Sequence, residues 1–248
     1  MSAPMAPSLL QGRIALITGS SSGIGAACAK SLAGQGMQVI MAARRLDKLQ
    51  ALSSQFAGDH PKPEAYQLDV RNEAEIIALF AHIRAKYGRL DLLVNSAGFA
   101  DHTPTTELSL ARWSDIVATN LTGPFLCARE AFKLMKPQKR GRIINIGSVS
   151  AQISRPNAIG YTSTKFALDG MTRSLALDGR EDGICVSIVH PGSTKTELMP
   201  GMDDKPADQS MLADDVARTV VLMASLPDET NLLEATILPV RQPFLGRG

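Results

Sequence analysis

Short apolar runs alternate along this chain with longer stretches of helical period, and that alternation restricts the possible folds more than any other feature. Run 13–18 precedes a helical stretch at 23–35, run 38–42 precedes 46–56, and run 65–69 precedes 73–87. The rhythm continues with run 90–95, a helix over about 109–135, run 142–146, a helix over about 158–178 and run 184–189; a last helix covers about 212–225. Leu92-Leu93-Val94 and Ile143-Ile144 are apolar on both faces, as strands covered by helices on both sides must be. The pattern predicts an α/β chain built as a doubly wound parallel sheet, with its ligands in the crevice at the carboxyl ends of the strands.

A chain of 248 residues with 44% hydrophobic side chains can bury a full core, and 1–248 reads as a single domain. Its 26 basic and 24 acidic residues nearly cancel and aromatic content is 4%, so it offers no electrostatic footprint or stacking platform for nucleic acid. Cys28, Cys127 and Cys185 sit in apolar stretches without metal-ligand spacing, which fits a reducing cytoplasm. Residues 1–11 carry Pro4 and Pro7 and lack the basic and apolar regions of a signal peptide or membrane anchor; they read as a flexible arm. The stretch 193–211, rich in Pro, Asp, Met and Gly, reads as a lid loop over a substrate.

Between the first strand and the first helix lies Thr18-Gly19-Ser20-Ser21-Ser22-Gly23-Ile24-Gly25. Glycines at such a junction permit a tight turn and let a pyrophosphate approach backbone N–H groups at the helix N-terminus. No Lys-Ser/Thr follows, so the turn is not a phosphate loop of the nucleoside-triphosphatase kind. Farther on, Tyr161 and Lys165 fall one helical turn apart on one face. An ammonium about 4 Å from a phenol contributes roughly 4 kcal/mol at an effective dielectric of ~20, which would bring a tyrosine pKa of ~10 toward ~7. Ser148, just past run 142–146, reaches the same rim of the sheet, and Asn120 lies inside the preceding helix.

Thr18-Gly19-x-x-x-Gly23-x-Gly25, Asn95-Ser96-Ala97-Gly98, Asn120, Ser148 and Tyr161-x-x-x-Lys165, in that order, resemble the short-chain dehydrogenase/reductase family over about residues 11–196. The resemblance implies a Rossmann-type sheet and hydride transfer between a nicotinamide and a carbonyl or alcohol. Tyr161 would donate the proton, Ser148 would orient the carbonyl oxygen, and Lys165 would lower the tyrosine pKa and hold the ribose. Asn120 would support a water linking Lys165 to solvent. The cofactor would contact Gly19, Ser21, Ser22, Gly23, Ile24 and Gly25, then Asn95, Ala97 and Gly98, and finally Pro191, Gly192, Thr194 and Thr196, the threonines meeting the carboxamide. Asp69-Val70 resembles the adenine contact. A homotetramer or homodimer is also implied. The chain departs from the family where Ser96 replaces a second Asn, and where the C-terminal Thr-Gly and Asp-Gly-Gly signals give way to Ile237-Leu238-Pro239-Val240-Arg241-Gln242-Pro243. That ending resembles small aldehyde and ketone reductases more than 3-oxoacyl-carrier-protein reductases.

Members selective for NAD place an acid at the end of the second strand, where it binds the ribose hydroxyls. Here Ala43 stands in that position and Arg44-Arg45 follow, a pattern that resembles NADP-preferring members, with NAD a possible second cofactor. Asp47 reads as a helix N-terminal residue. His190, before Pro191-Gly192, reads as a packing or turn residue; His60, His82 and His102 fall in loops or on a helix surface. No cluster has metal-ligand spacing, so no catalytic metal is expected. Segments 99–103, 149–157 and 197–211, with Phe99, Ile153, Leu198 and Met199 beside His102, Gln152, Arg155 and Asn157, would line the substrate space. Arg155 reads as an exposed loop residue, the alternative being a contact to a substrate carboxylate. An NADP-dependent oxidoreductase of a small carbonyl or alcohol is the leading expectation. A nucleotide-binding sensor without turnover and a 3-oxoacyl thioester reductase are the alternatives.

Overall fold

The computed structural model describes residues 9–56, 61–197 and 204–243. The arm residues 1–8, His60 and the lid residues 198–203, Leu198 and Met199 among them, lie outside the described residues. The elements run β1 (Ile14–Thr18), α1 (Gly23–Gly34), β2 (Gln38–Ala43), α2 (Leu46–Ser54), β3 (Glu64–Gln67), α3 (Glu73–Tyr87), β4 (Leu92–Asn95) and α4 (Leu110–Val117). They continue with α5 (Gly123–Gln138), β5 (Gly141–Ile146), α6 (Ile159–Gly179), β6 (Ile184–Pro191), α7 (Ala213–Ser225) and β7 (Glu234–Ile237). All seven strands join one parallel sheet in the order β3-β2-β1-β4-β5-β6-β7, so the winding reverses between β1 and β4. A crevice opens at such a switch point.

The strands alternate sides, as their period of two requires. Ala15, Ile17, Val39 and Met41 pack against Cys28, Leu32, Val216 and Val220 of α1 and α7, whereas Leu16, Ile40 and Leu93 pack against Ile76, Leu79, Leu126 and Ala131 of α3 and α5. Each fully buried aliphatic side chain contributes about 1.5–3 kcal/mol relative to exposure, so the two layers fix the strand ends to which the site is attached. Among the described residues no helix is long and apolar enough to cross a membrane.

Three elements differ from the sequence expectation. The single helix expected over 109–135 is two helices joined by a π-helical turn, Ala118–Thr122, in which the Gly123 N–H bonds to the Ala118 carbonyl. Pro124 accounts for the widening, because it has no N–H to give the carbonyl of Asn120, its α-helical partner. β3 is shorter than expected because the Asp69 N–H is taken by the Glu75 carboxylate (2.8 Å), part of the cap in which Asn72 accepts from Ala74 and Glu75 at the start of α3. β7 was not anticipated at all: it is a four-residue edge strand without an unbroken apolar run.

Candidate active site

β1 ends at Thr18, whose hydroxyl accepts from the Ser96 and Ala97 N–H groups (3.2 and 3.3 Å), tying the glycine turn to the loop after β4. Gly19 has a φ of 69°, and a Cβ there would lie 2.6 Å from the Ala97 Cα, so only glycine admits this contact. A Cβ on Gly98 would stand 3.1 Å from the Asn120 Oδ1. The glycine turn, the β4 loop and the π turn are thereby pressed together.

Beside them opens a cleft of about 430 Å³. It is lined by Gly19, Ser22, Gly23, Ile24 and Gly25, with exposed Arg44 and Arg45 at the rim, together with Gly98, Ser148, Tyr161 and Lys165. Pro191, Gly192, Thr194 and Thr196 complete the lining, Thr196 lying against Gly23. Fifteen of the expected site residues therefore converge on one cavity, from segments more than a hundred residues apart. Ser21 stands behind the lining: its hydroxyl accepts from Arg45 Nε and Nη2 (3.2 and 3.0 Å), and Ser22 accepts from Nη2 at 2.8 Å.

Five further expected contacts fall outside the lining. Asn95 is 3% exposed and donates to Asn145 Oδ1 (2.9 Å) and the Pro124 carbonyl (3.4 Å), so its side chain faces the interior and not the cleft. Ala97 packs beneath Gly19. Asp69 turns to Arg71, which pairs with it at 2.7 Å and holds its carboxyl below the usual range; buried Val70 lies against Gly123. Asn120, 1% exposed, accepts from the Phe99 N–H (3.0 Å) and donates to the Phe99 carbonyl (2.9 Å), which fixes the loop after β4. It makes no direct bond to Lys165 among those formed by the described residues.

The electrostatics of the Tyr161–Lys165 pair correct the sequence expectation. Lys165 is 6% exposed, donates to the Ile146 carbonyl (2.7 Å) and has its Nζ 5.5 Å from the Tyr161 ring centroid. Burial brings its pKa down to about 8. Burial also pushes Tyr161 above its usual value, more than a hydrogen bond with Ser148 and the charge of Arg155 pull it down. The expected drop toward ~7 counted only an ammonium about 4 Å from the phenol at an effective dielectric of ~20; without cofactor, burial dominates and moves the phenol the other way. The Lys165 shift has a measurable consequence. An unfolded lysine stays protonated to about pH 10.5 and the folded one only to about 8, so the unfolded state binds more protons in that window. Thermal stability of the cofactor-free protein is expected to gain a favourable contribution as pH rises from 8 to 10.5. Lys165→Met should remove that slope in unfolding melts across the window, and an unchanged slope would refute the assignment.

Two charged neighbours stand closer to the site than their loop positions suggested. Arg155, expected on an exposed loop, is half-buried in the cleft lining near Tyr161. Glu197 bridges Arg45 Nη1 and Lys48 Nζ, both at 2.9 Å, which holds its carboxyl down to about 2. Neither lies in a periodic segment, and loop geometry is what brings them in.

The family model for short chain dehydrogenases matches residues 13–207. The chain belongs to the short-chain dehydrogenase/reductase family. This member is 32% identical to D-threitol dehydrogenase of Mycolicibacterium smegmatis, over 87% of each chain. It is 34% identical to a 3-oxoacyl-acyl-carrier-protein reductase of Escherichia coli, over 93% of this chain and 96% of the relative. A closed serine dehydrogenase structure complexed with NADP+ superposes with a TM-score of 0.86 at 29% identity, covering 95% of this chain and 98% of the other. The short-chain dehydrogenase/reductase is thus an oxidoreductase enzyme, and its site can be tested for fit to a dinucleotide. At the N-terminus of α1, Ser22 is extended with no side-chain cap, and no acid lies in the first turn, which suits a pyrophosphate. Arg44 and Arg45 at the rim suit a further phosphate.

Proposed function

We propose that the enzyme binds NADP across this cleft and moves a hydride between its nicotinamide and a small carbonyl or alcohol, with Tyr161 as general acid/base. The observation that carries this reading is the convergence of Ser148, Tyr161 and Lys165 on the cavity that also holds the glycine turn and the arginine pair. The cofactor, held by the α1 N-terminus, Arg44, Arg45, Thr194 and Thr196, supplies the hydride chemistry; the protein supplies alignment and a proton. In reduction Tyr161 gives its phenolic proton to the carbonyl oxygen, and a raised pKa suits a group that must hold that proton until charge develops. Ser148, a hydrogen-bond partner of Tyr161, donates to the same oxygen. Lys165, cationic below about pH 8, supplies positive charge behind the phenolate left by transfer. The Asn120 carbonyl, left without an α-helical partner by Pro124, is suited to hold a water beyond Lys165.

Arg155 gives the substrate end a cation, which favours hydroxy or oxo acids over neutral ketones. The 3-oxoacyl thioester reading keeps support from the Escherichia coli relative. Following NADPH oxidation with ketones, aldehydes, oxo acids and 3-oxoacyl thioesters, and NADP+ reduction with polyols and hydroxy acids, separates these classes. Tight NADPH binding with no turnover across the panel would instead support a sensor. The free cysteines fit a reducing cytoplasm. A homo-oligomer is supported by Phe125 and Phe166, 45% and 48% exposed on α5 and α6, and light scattering of the purified chain measures it.

A further inference from the structure

Behind Ser148, three residues distant in sequence meet where α6, β6 and β7 join: Asp169, His190 and Glu234. Their ligand atoms all lie within 4.8 Å of one another. His190 is 0% exposed, and its Nδ1 lies 2.9 Å from the Ser148 carbonyl, which can only accept. Nδ1 therefore carries the proton. A longer 3.4 Å contact from the Ser148 N–H to the same nitrogen would need the opposite tautomer and gives way to the shorter one. The bare lone pair of Nε2 then faces Asp169 Oδ1 at 3.6 Å and Glu234 Oε1 at 3.7 Å. Nε2 has no hydrogen-bond partner, and neither has the buried Asp169 Oδ1.

Two unpartnered acceptor atoms, His190 Nε2 and Asp169 Oδ1, with the Glu234 carboxylate beside them, suit a cation at this point. A proton on Nε2 fits poorly, since both oxygens are beyond the ~3.2 Å reach of an N–H···O bond. A divalent ion fits. Two ligands about 2.1 Å from one ion, at angles of 110–120°, stand about 3.4–3.6 Å apart. The surroundings match those of a ligated histidine, whose other N–H characteristically goes to a backbone carbonyl. Arg173 occupies the outer carboxylate oxygens, Nε on Asp169 Oδ2 at 3.1 Å and Nη2 on Glu234 Oε2 at 2.6 Å, leaving the inner oxygens facing His190. Gln152 donates to Glu234 Oε1 at 2.8 Å and so helps hold that carboxylate beside His190.

We propose that Asp169, His190 and Glu234 form a structural site for a borderline divalent cation of the zinc class, outside the hydride-transfer cleft. One imidazole with two carboxylates suits zinc over magnesium. The ion ties β7 and α6 to the imidazole that holds the Ser148 carbonyl, and so braces the loop carrying Ser148. Sequence spacing could not reveal it, because the ligands come from three elements across 66 positions of chain and one lies on the unanticipated β7.

The test is zinc titration of the chelator-treated full chain by calorimetry, together with thermal melts and X-ray absorption of the zinc-loaded protein; none of these readouts depends on turnover. One equivalent should bind, and zinc at ~100 times its Kd should raise Tm by about 5–10 °C, with magnesium at the same concentration giving less. Glu234→Gln and Asp169→Asn should each weaken zinc by ~10–100-fold or more while keeping the wild-type circular dichroism in chelator. If either variant misfolds, the other decides, and the absorption spectrum decides without variants: nitrogen and oxygen ligands support the site, whereas sulfur ligands place the zinc on cysteine. Absence of stoichiometric binding, equal affinity in the variants, or sulfur coordination overturns the proposal.

Discussion

Tyr161→Phe is expected to lower kcat by ~10²–10⁴-fold, the usual contribution of a general acid or base, while the cofactor still binds as it does to the wild type. The change removes one oxygen from a half-buried ring and leaves Lys165 bonded to the Ile146 carbonyl, so the cleft wall stays intact. A loss in kcat matched by an equal loss in kcat/KM marks an interaction made only in the transition state. Measuring both, beside NADPH affinity by fluorescence titration, separates removal of the proton donor from collapse of the site. A near-wild-type kcat would remove Tyr161 from the mechanism. The raised Tyr161 pKa adds a second observable: the acid limb of the reductive reaction should persist to higher pH than a phenol lowered to ~7 would allow.

That second observable exists because the fold was more legible in the sequence than the electrostatics were. Strands buried on both faces are continuous apolar runs, so β1, β2, β4, β5 and β6 announce themselves. β7, half-exposed at the sheet edge, carries no such run. The Tyr161–Lys165 spacing correctly puts both side chains on one cleft wall, because helical period alone decides it. Their protonation depends on burial by the surrounding fold, which no local pattern encodes. Asn95 illustrates the same limit: its place at the end of β4 was readable, but whether its amide faces the cleft or Asn145 depends on the neighbouring strand. Asn120 was readable as a helical residue, and the π turn around it follows from Pro124, a cue present in the sequence.

NADPH is expected to be preferred over NADH, and Arg44→Ala and Arg45→Ala are each expected to narrow the preference. A charge-assisted contact to a 2′-phosphate is worth roughly 1.5–3 kcal/mol, about 10- to 150-fold in kcat/KM. Both arginines sit at the cleft rim after Ala43, where no acid favours a free ribose hydroxyl. They are not equivalent. Arg45 is held by Ser21, Ser22 and Glu197, so its fork is preorganised but partly occupied by a carboxylate. Arg44 makes no side-chain ion pair among the described residues and is available to turn toward an anion. Glu197, anionic down to about pH 2, competes with the phosphate for Arg45 and Lys48. Glu197→Gln should therefore act opposite to the arginine variants, lowering KM for NADPH and leaving KM for NADH unchanged. The two cofactors differ only in the 2′-phosphate, so the ratio of their kcat/KM values isolates this corner of the site. Equal use of both cofactors by the wild type would sink the assignment. So would an arginine variant that weakens both alike, since the guanidinium would then be supporting the glycine turn through Ser21 and Ser22 and not reading the phosphate.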